Sequence, residues 1–192
     1  SNKVGYLQFE MPIDKWLNFG KKNLITIRVH GERTVHELPG HHIGWRSYVG
    51  ILREVRLEAR EKLHISDVRI QAEPSSEGGL FSATTTLCNL LPKAVKARVN
   101  LSVKDRQNKP VAVFTSEIFQ INPGQERSVT VKGTIKGIRA WNPENPVLYT
   151  TRAVLKIGGK KLDQQDIRFG FRKVETKNGR ILLNGQPVFL TG

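Results

Sequence analysis

Five carboxylates stand where chemistry could be sought: Glu54, Glu58, Glu117, Asp163 and Asp166. Two carboxyls can divide acid and base roles when proximity or burial drives their pKa values apart. These five fall in strand-like stretches or at turns, mostly on polar faces, and the Asp163/Asp166 spacing forces no such split. They read as solvated surface charge. His41-His42, with His36 nearby, is the other cluster, and its chemistry would be metal binding. Adjacent residues on a strand point to opposite faces, and no Cys or Asp joins these histidines at a ligand spacing. They read as part of a polar loop before Trp45. The single cysteine, Cys88, can form neither an intrachain disulfide nor a thiolate cluster. It ends an alternating run that starts at Leu80, and the expectation is a buried core thiol. No metal or cofactor site is expected.

These side chains sit in a chain of 192 residues, long enough for one or two domains. No apolar run approaches the ~20 residues of a membrane span, so no membrane partner is expected. The balance of 31 basic to 17 acidic residues gives a net charge of +14, which raises the question of a polyanion partner. The basic residues are spread singly along polar strand faces, as in Val95-Lys96-Ala97-Arg98-Val99. The longest clusters are pairs, Lys21-Lys22 and Lys160-Lys161. That distribution argues against a specific nucleic-acid partner.

The dominant hydrophobic period is two. Val95, Ala97, Val99, Leu101 and Val103 alternate with Lys96, Arg98, Asn100, Ser102 and Lys104, which is a strand with one buried and one wet face. Similar alternation predicts strands at 25–29 and 54–60, and near 64–72, 80–88, 111–121, 126–135, 148–157 and 161–169. Asn108-Lys109-Pro110, Asn122-Pro123-Gly124 and Gly158-Gly159 mark turns between them. Only Ile13 to Phe19 looks helical, with Asp14 as a cap and Gly20 as a stop. Residues 62–170 hold about seven strands, the number expected of an immunoglobulin-like sandwich. Residues 1–61 hold about three, too few to enclose a core alone. Ile181-Leu182-Leu183 and Val188-Phe189-Leu190 are continuous apolar runs joined through Asn184-Gly185, a preferred hairpin pair. Continuous apolar strands suggest burial on both faces, as in a parallel sheet.

Three segments resemble the family 2 glycoside hydrolases. Gly44-Trp45-Arg46-Ser47-Tyr48-Val49-Gly50-Ile51-Leu52-Arg53-Glu54-Val55 is similar to the aromatic-rich segment late in that family's jelly-roll, sugar-binding domain, and Asn23 to Val29 to the strand before it. Trp141-Asn142-Pro143-Glu144-Asn145-Pro146-Val147-Leu148-Tyr149 resembles its Trp-x-Pro-x-x-Pro-x-Leu-Tyr segment. Phe169 to Glu175, then Leu183 to Gly192, resembles the lead-in to its (β/α)8 barrel.

The resemblance implies an all-β chain, an immunoglobulin-like β-sandwich with part of a jelly-roll β-sandwich before it. Residues 1–61 would be the C-terminal part of the jelly roll, 62–170 the immunoglobulin-like domain, and 171–192 the approach to a barrel and its first strand, truncated. It implies a retaining β-glycosidase of β-galactosidase or β-glucuronidase type as the parent, with a carbohydrate substrate. Such enzymes use two carboxyl groups roughly 5–5.5 Å apart, carried on later barrel strands. The family's acid/base is the Glu of an Asn-Glu pair, and this sequence contains no such dipeptide. No catalytic residue is therefore expected in this chain. Trp45, Arg46 and Tyr48 are candidates for lining the pocket edge of the whole enzyme, against the alternative that Trp45 packs at a domain junction. Some members carry an acidic residue where this chain has Gly44, which leaves the sugar open. Exposed strand edges in residues 1–61 would favour self-association. A stand-alone β-sandwich module binding carbohydrate or protein, and a polyanion binder, remain as alternatives.

Overall fold

The computed structural model describes residues 9–29 and 50–189. The chain divides into two units, Ser1–Leu57 and Glu58–Gly192. In the described part of the first unit, the expected short helix shrinks to a single 3-10 turn, Asp14–Trp16, with no side-chain cap. The strands expected at 25–29 and 54–60 do not form. The alternation is real, but Ile25, Ile27, Val55 and Leu57 are all more than half exposed. A strand needs a neighbour to complete its hydrogen-bond ladder and a second layer to cover its apolar face.

The second unit contains every strand found among the described residues. β1 (Leu63–Ser75), β2 (Gly78–Asn89), β3 (Val95–Lys104), β4 (Pro110–Thr115), β5 (Phe119–Ile121), β6 (Glu126–Ile135), β7 (Tyr149–Ile157) and β8 (Lys160–Phe169) build two antiparallel sheets. One runs β1-β2-β6. The other runs β4-β3-β7-β8, with β5 also on β3. The run expected as one strand at 111–121 is two. Ser116 interrupts it, donating its N–H to the Val99 carbonyl (2.9 Å) and accepting the Val99 N–H at Oγ (3.0 Å). Both pieces thereby share one edge of β3.

Alternation decides which side chains meet. Phe81, Ala83, Thr85 and Leu87 of β2 point inward, as do Val99, Leu101 and Val103 of β3 and Tyr149, Thr151, Ala153 and Leu155 of β7, into one core. An aromatic chain crosses it: Phe114 stacks on Phe81 at 5.3 Å, and Phe81 lies 5.5 Å from Phe169. Cys88 corrects its expectation. It occupies the outward register of β2, between His64 and Glu126, and is only half-buried. Even-numbered positions of this strand face away from the core. Burial, with the charge of Glu126 added, pushes its thiol up.

Thr85 Oγ1 and Thr151 Oγ1, in residues 1% and 0% exposed, find no hydrogen-bond partner among the described residues. An unpaired buried hydroxyl costs about 1–3 kcal/mol. Thr151→Val is expected to raise the unfolding free energy by about 1 kcal/mol, read as a later urea midpoint at unchanged slope.

β9 (Val174–Lys177), β10 (Arg180–Leu183) and β11 (Gln186–Pro187) form a separate antiparallel sheet ordered β11-β10-β9. Asn184 and Gly185 both take positive φ, 51° and 80°, the tight hairpin that Asn-Gly favours. The double-sided burial expected here is not found. Leu182 is buried, but Ile181 is 40% and Phe189 90% exposed, and the segment after β11 is held to β10 by the Val188 N–H, which donates to the Ile181 carbonyl (3.0 Å).

Candidate functional site

Trp45, Arg46 and Tyr48, with Gly44 and the histidines His36, His41 and His42, lie outside the described residues. The carboxylates can be placed. Glu54, Glu58 and Glu117 are exposed. Asp163 departs from the solvated reading. It sits in the inward register of β8, opposite Leu155, and is half-buried. Its Oδ2 accepts the Ile65 N–H of β1 (2.8 Å), while Gln165 Nε2 donates to the Ile65 carbonyl (2.8 Å). β1 shifts register between Ile65 and Asp67. Two side chains of one sheet thus close the open edge of the other, where no strand pairs it. The clue in the sequence was two polar residues at β8 positions where alternation calls for apolar ones.

Asp166 faces the other way. Both of its oxygens accept from Arg152, at 2.7 Å (Oδ1 from Nε) and 2.6 Å (Oδ2 from Nη2). This bidentate pair holds the Asp166 carboxyl below the usual carboxylate range, with Lys104 and Lys161 adding to the effect. The two aspartates lie on opposite faces of one strand, so they cannot share a proton. A lowered pKa contributes stability above the unfolded value that is lost as pH falls through the folded one. The pair is largely solvated, which limits it to about 1 kcal/mol or less. Asp166→Asn is expected to cost less than about 1 kcal/mol at pH 7. The difference from the parent should vanish once acid has protonated the aspartate, as measured by denaturation at both pH values.

The most built-up polar constellation lies where the sandwich meets the terminal sheet. Trp141 packs against Gly170: a Cβ added there would stand 2.8 Å from the Trp141 Cβ. Trp141 N–H donates to the Phe171 carbonyl (2.8 Å), and the Arg172 guanidinium lies 5.3 Å over the indole. Arg172 N–H donates to the Ala72 carbonyl (3.0 Å), tying this segment to β1. Asn184 completes the knot. Its Nδ2 donates to the Trp141 carbonyl (2.9 Å), and its Oδ1 accepts the Lys173 N–H (2.9 Å). Tyr149, whose ring meets Phe171 edge-on at 5.2 Å, accepts the Arg139 N–H at its hydroxyl (2.9 Å). An open groove runs beside it, lined by Gln71, Glu73, Trp141, Arg168 and Arg172. These contacts fix the direction in which the chain leaves the sandwich. Among the described residues, no group of three His, Cys, Asp or Glu side chains could hold a metal ion.

The sequence model described as "Glycosyl hydrolases family 2" matches residues 63–172. The chain is 32% identical over 193 residues to a putative beta-glucuronidase of Formosa agariphila, covering 98% of this chain and 22% of that protein. It is 24% identical over 196 residues to a beta-galactosidase of Thermoanaerobacter pseudethanolicus, covering all of this chain and 25% of that one. The chain thus spans about a quarter of the length of these curated relatives. Among solved structures, it superposes on a glycosyl hydrolase family 2 member from Bacteroides cellulosilyticus with a TM-score of 0.64, at 19% identity over 69% of this chain and 19% of that one. The GH2 beta-galacturonidase from Eisenbergiella tayi gives 0.57, at 24% identity over 67% and 22%. The solved structures share the fold, and the family match spans the whole sandwich, more than half of the chain: the chain belongs to glycosyl hydrolase family 2.

Proposed function

We propose that this chain is a non-catalytic accessory region of a retaining β-glycosidase that hydrolyses terminal β-linked sugars. The observation that carries the reading is the family match over 63–172 in a chain spanning about a quarter of relatives named for β-glucuronidase and β-galactosidase activity. The roles of the carboxylates in the sandwich and the terminal sheet support it. Asp163 closes a sheet edge, Asp166 pairs with Arg152, and Glu175 pairs with Lys173 at 2.7 Å. In this reading residues 1–61 belong to a jelly-roll domain, 62–170 are the immunoglobulin-like domain, and 171–192 lead into a barrel. The junction at Trp141, Arg172 and Asn184 would then set the angle at which the barrel leaves the sandwich. Trp45, Arg46 and Tyr48 would line the edge of the sugar pocket, where an aromatic face and a guanidinium suit a sugar's apolar side and hydroxyls.

The test is direct. The 192-residue chain, incubated with chromogenic β-glucuronide and β-galactoside, is expected to release no more chromophore than buffer does. Turnover that a substitution inside the chain abolishes would overturn the proposal.

A further inference from the structure

The two outer faces of the sandwich differ in charge. The outward positions of β1-β2-β6 are rich in hydroxyls, with Thr84 Oγ1 2.9 Å from Thr130 Oγ1 and Thr86 Oγ1 2.9 Å from Ser128 Oγ. Their charges are mixed: Arg69 and Lys132 against Asp67, Glu73 and Glu126. The outward face of β3-β7-β8 is not balanced. Register places Arg98 opposite Lys156, and Lys156 opposite Lys161, so three cations form one row across three strands. Further along the strands, Lys104, Thr150 and Arg168 form a second row, and Lys96 lies beyond the first. Among the described residues this face carries seven basic side chains and one carboxylate, Asp166, and within that set the ion pair is the one Asp166 makes with Arg152. Lys161 reaches Gln164 at 2.8 Å, and Asp166 feels both Lys104 and Lys161.

Like charges directly opposite each other destabilise a sheet. A row of three therefore costs folding free energy that a bound polyanion would offset. We propose that this face binds an anionic polysaccharide, one carrying carboxylate or sulfate groups at regular intervals. Neighbouring strands lie about 4.8 Å apart, which is the scale of one sugar ring, so the row presents cations at the repeat of such a polymer. Protein partners are less well matched, because interface centres are apolar and depleted in lysine, and Val154 is the apolar member between the two rows. Nucleic acid is less well matched too. These rows carry no aromatic for base stacking, and a flat sheet offers no element that enters a groove. The inference does not depend on the accessory reading above, since it rests on the face itself.

Isothermal titration at 50 and 200 mM NaCl tests it, with polygalacturonate, dextran sulfate, neutral dextran and a 20-base-pair DNA duplex as probes. The chain is expected to bind one or both acidic polysaccharides, to ignore neutral dextran, and to bind DNA more weakly. The triple variant Arg98→Gln/Lys156→Gln/Lys161→Gln is expected to bind about ten-fold more weakly, with a salt dependence shallower by about two contacts. It should melt no lower than the parent, because a repulsive row has been removed, and this separates lost binding from lost folding. A control removing equal charge elsewhere, Lys132→Gln/Lys136→Gln/Lys177→Gln, is expected to change affinity less than about two-fold. Equal losses in the two triples, DNA binding as tight as that of the better polysaccharide, or no binding to either acidic polymer would each overturn the proposal.

Discussion

Phe171→Ala is expected to lower the unfolding free energy by about 4 kcal/mol, within the range for removing a fully buried aromatic. Phe171 is 0% exposed. Its ring meets Tyr149 and Phe169 edge-on at 5.2 and 5.3 Å, and aromatic pairs of this geometry add to the area they bury. Its other side lies against Gly79, where an added Cβ would run into the ring's Cε1 and Cδ1 atoms and approach Ile138 Cγ1 at 2.9 Å. The neighbours are a glycine and fixed rings, so the cavity left by alanine has little with which to collapse. Gly79→Ala should be destabilising for the opposite reason, overpacking, by about 1–3 kcal/mol. Both are read from the denaturant midpoint. An unchanged midpoint for Phe171→Ala would mean that the segment does not seal the sandwich. The backbone of Phe171 also accepts from Trp141, so the junction described above should loosen with it.

Asn89→Ala is expected to cost about 3 kcal/mol. Asn89 is 0% exposed and ends β2, tying together the β2–β3 and β5–β6 connections. Its Nδ2 donates to the carbonyls of Lys93 (3.0 Å), Ile121 (3.1 Å) and Asn122 (3.2 Å), and its Oδ1 accepts the Leu91 N–H (3.0 Å). Removing the amide strands the Leu91 donor and leaves the carbonyls short of a partner, at about 1–3 kcal/mol for each buried group left unmet. Asn89→Asp is isosteric and should be worse at pH 7. A carboxylate would face three carbonyl oxygens in a buried site, which raises its folded pKa. A raised carboxyl pKa means that stability recovers as pH falls and the group takes up a proton. Denaturation at pH 7 and pH 4 should therefore show the Asp variant gaining relative to the parent. The absence of that gain would argue that the site is open to water.

The weight of Asn89 was not legible in the sequence, where it reads as one polar residue at a strand end. Its side chain's partners are two, four and some thirty positions away, and the distant ones carry half of its hydrogen bonds. The Asp163 clamp was misread as solvated surface charge. Strand register puts Asp163 and Gln165 on the inward face of β8, and nothing local identified Ile65, about a hundred positions earlier, as their partner. The basic row was equally hidden. Arg98, Lys156 and Lys161 look scattered along the chain and become neighbours only through strand register.

What the sequence alone determined was most of the strand content of 63–169, its turns and an inward set such as Val95 to Val103, because a period of two and Gly or Asn at turns are local properties; it missed the break at Ser116 and the outward parity of Cys88. The same local signals at 25–29 and 54–60 produced no strands among the described residues, since pairing depends on a neighbour that local sequence cannot supply. The tertiary structure decided which strands share a sheet, which edge Asp163 closes, and which cations stand side by side. Each of these is a contact between segments far apart in the chain, and only packing brings them together.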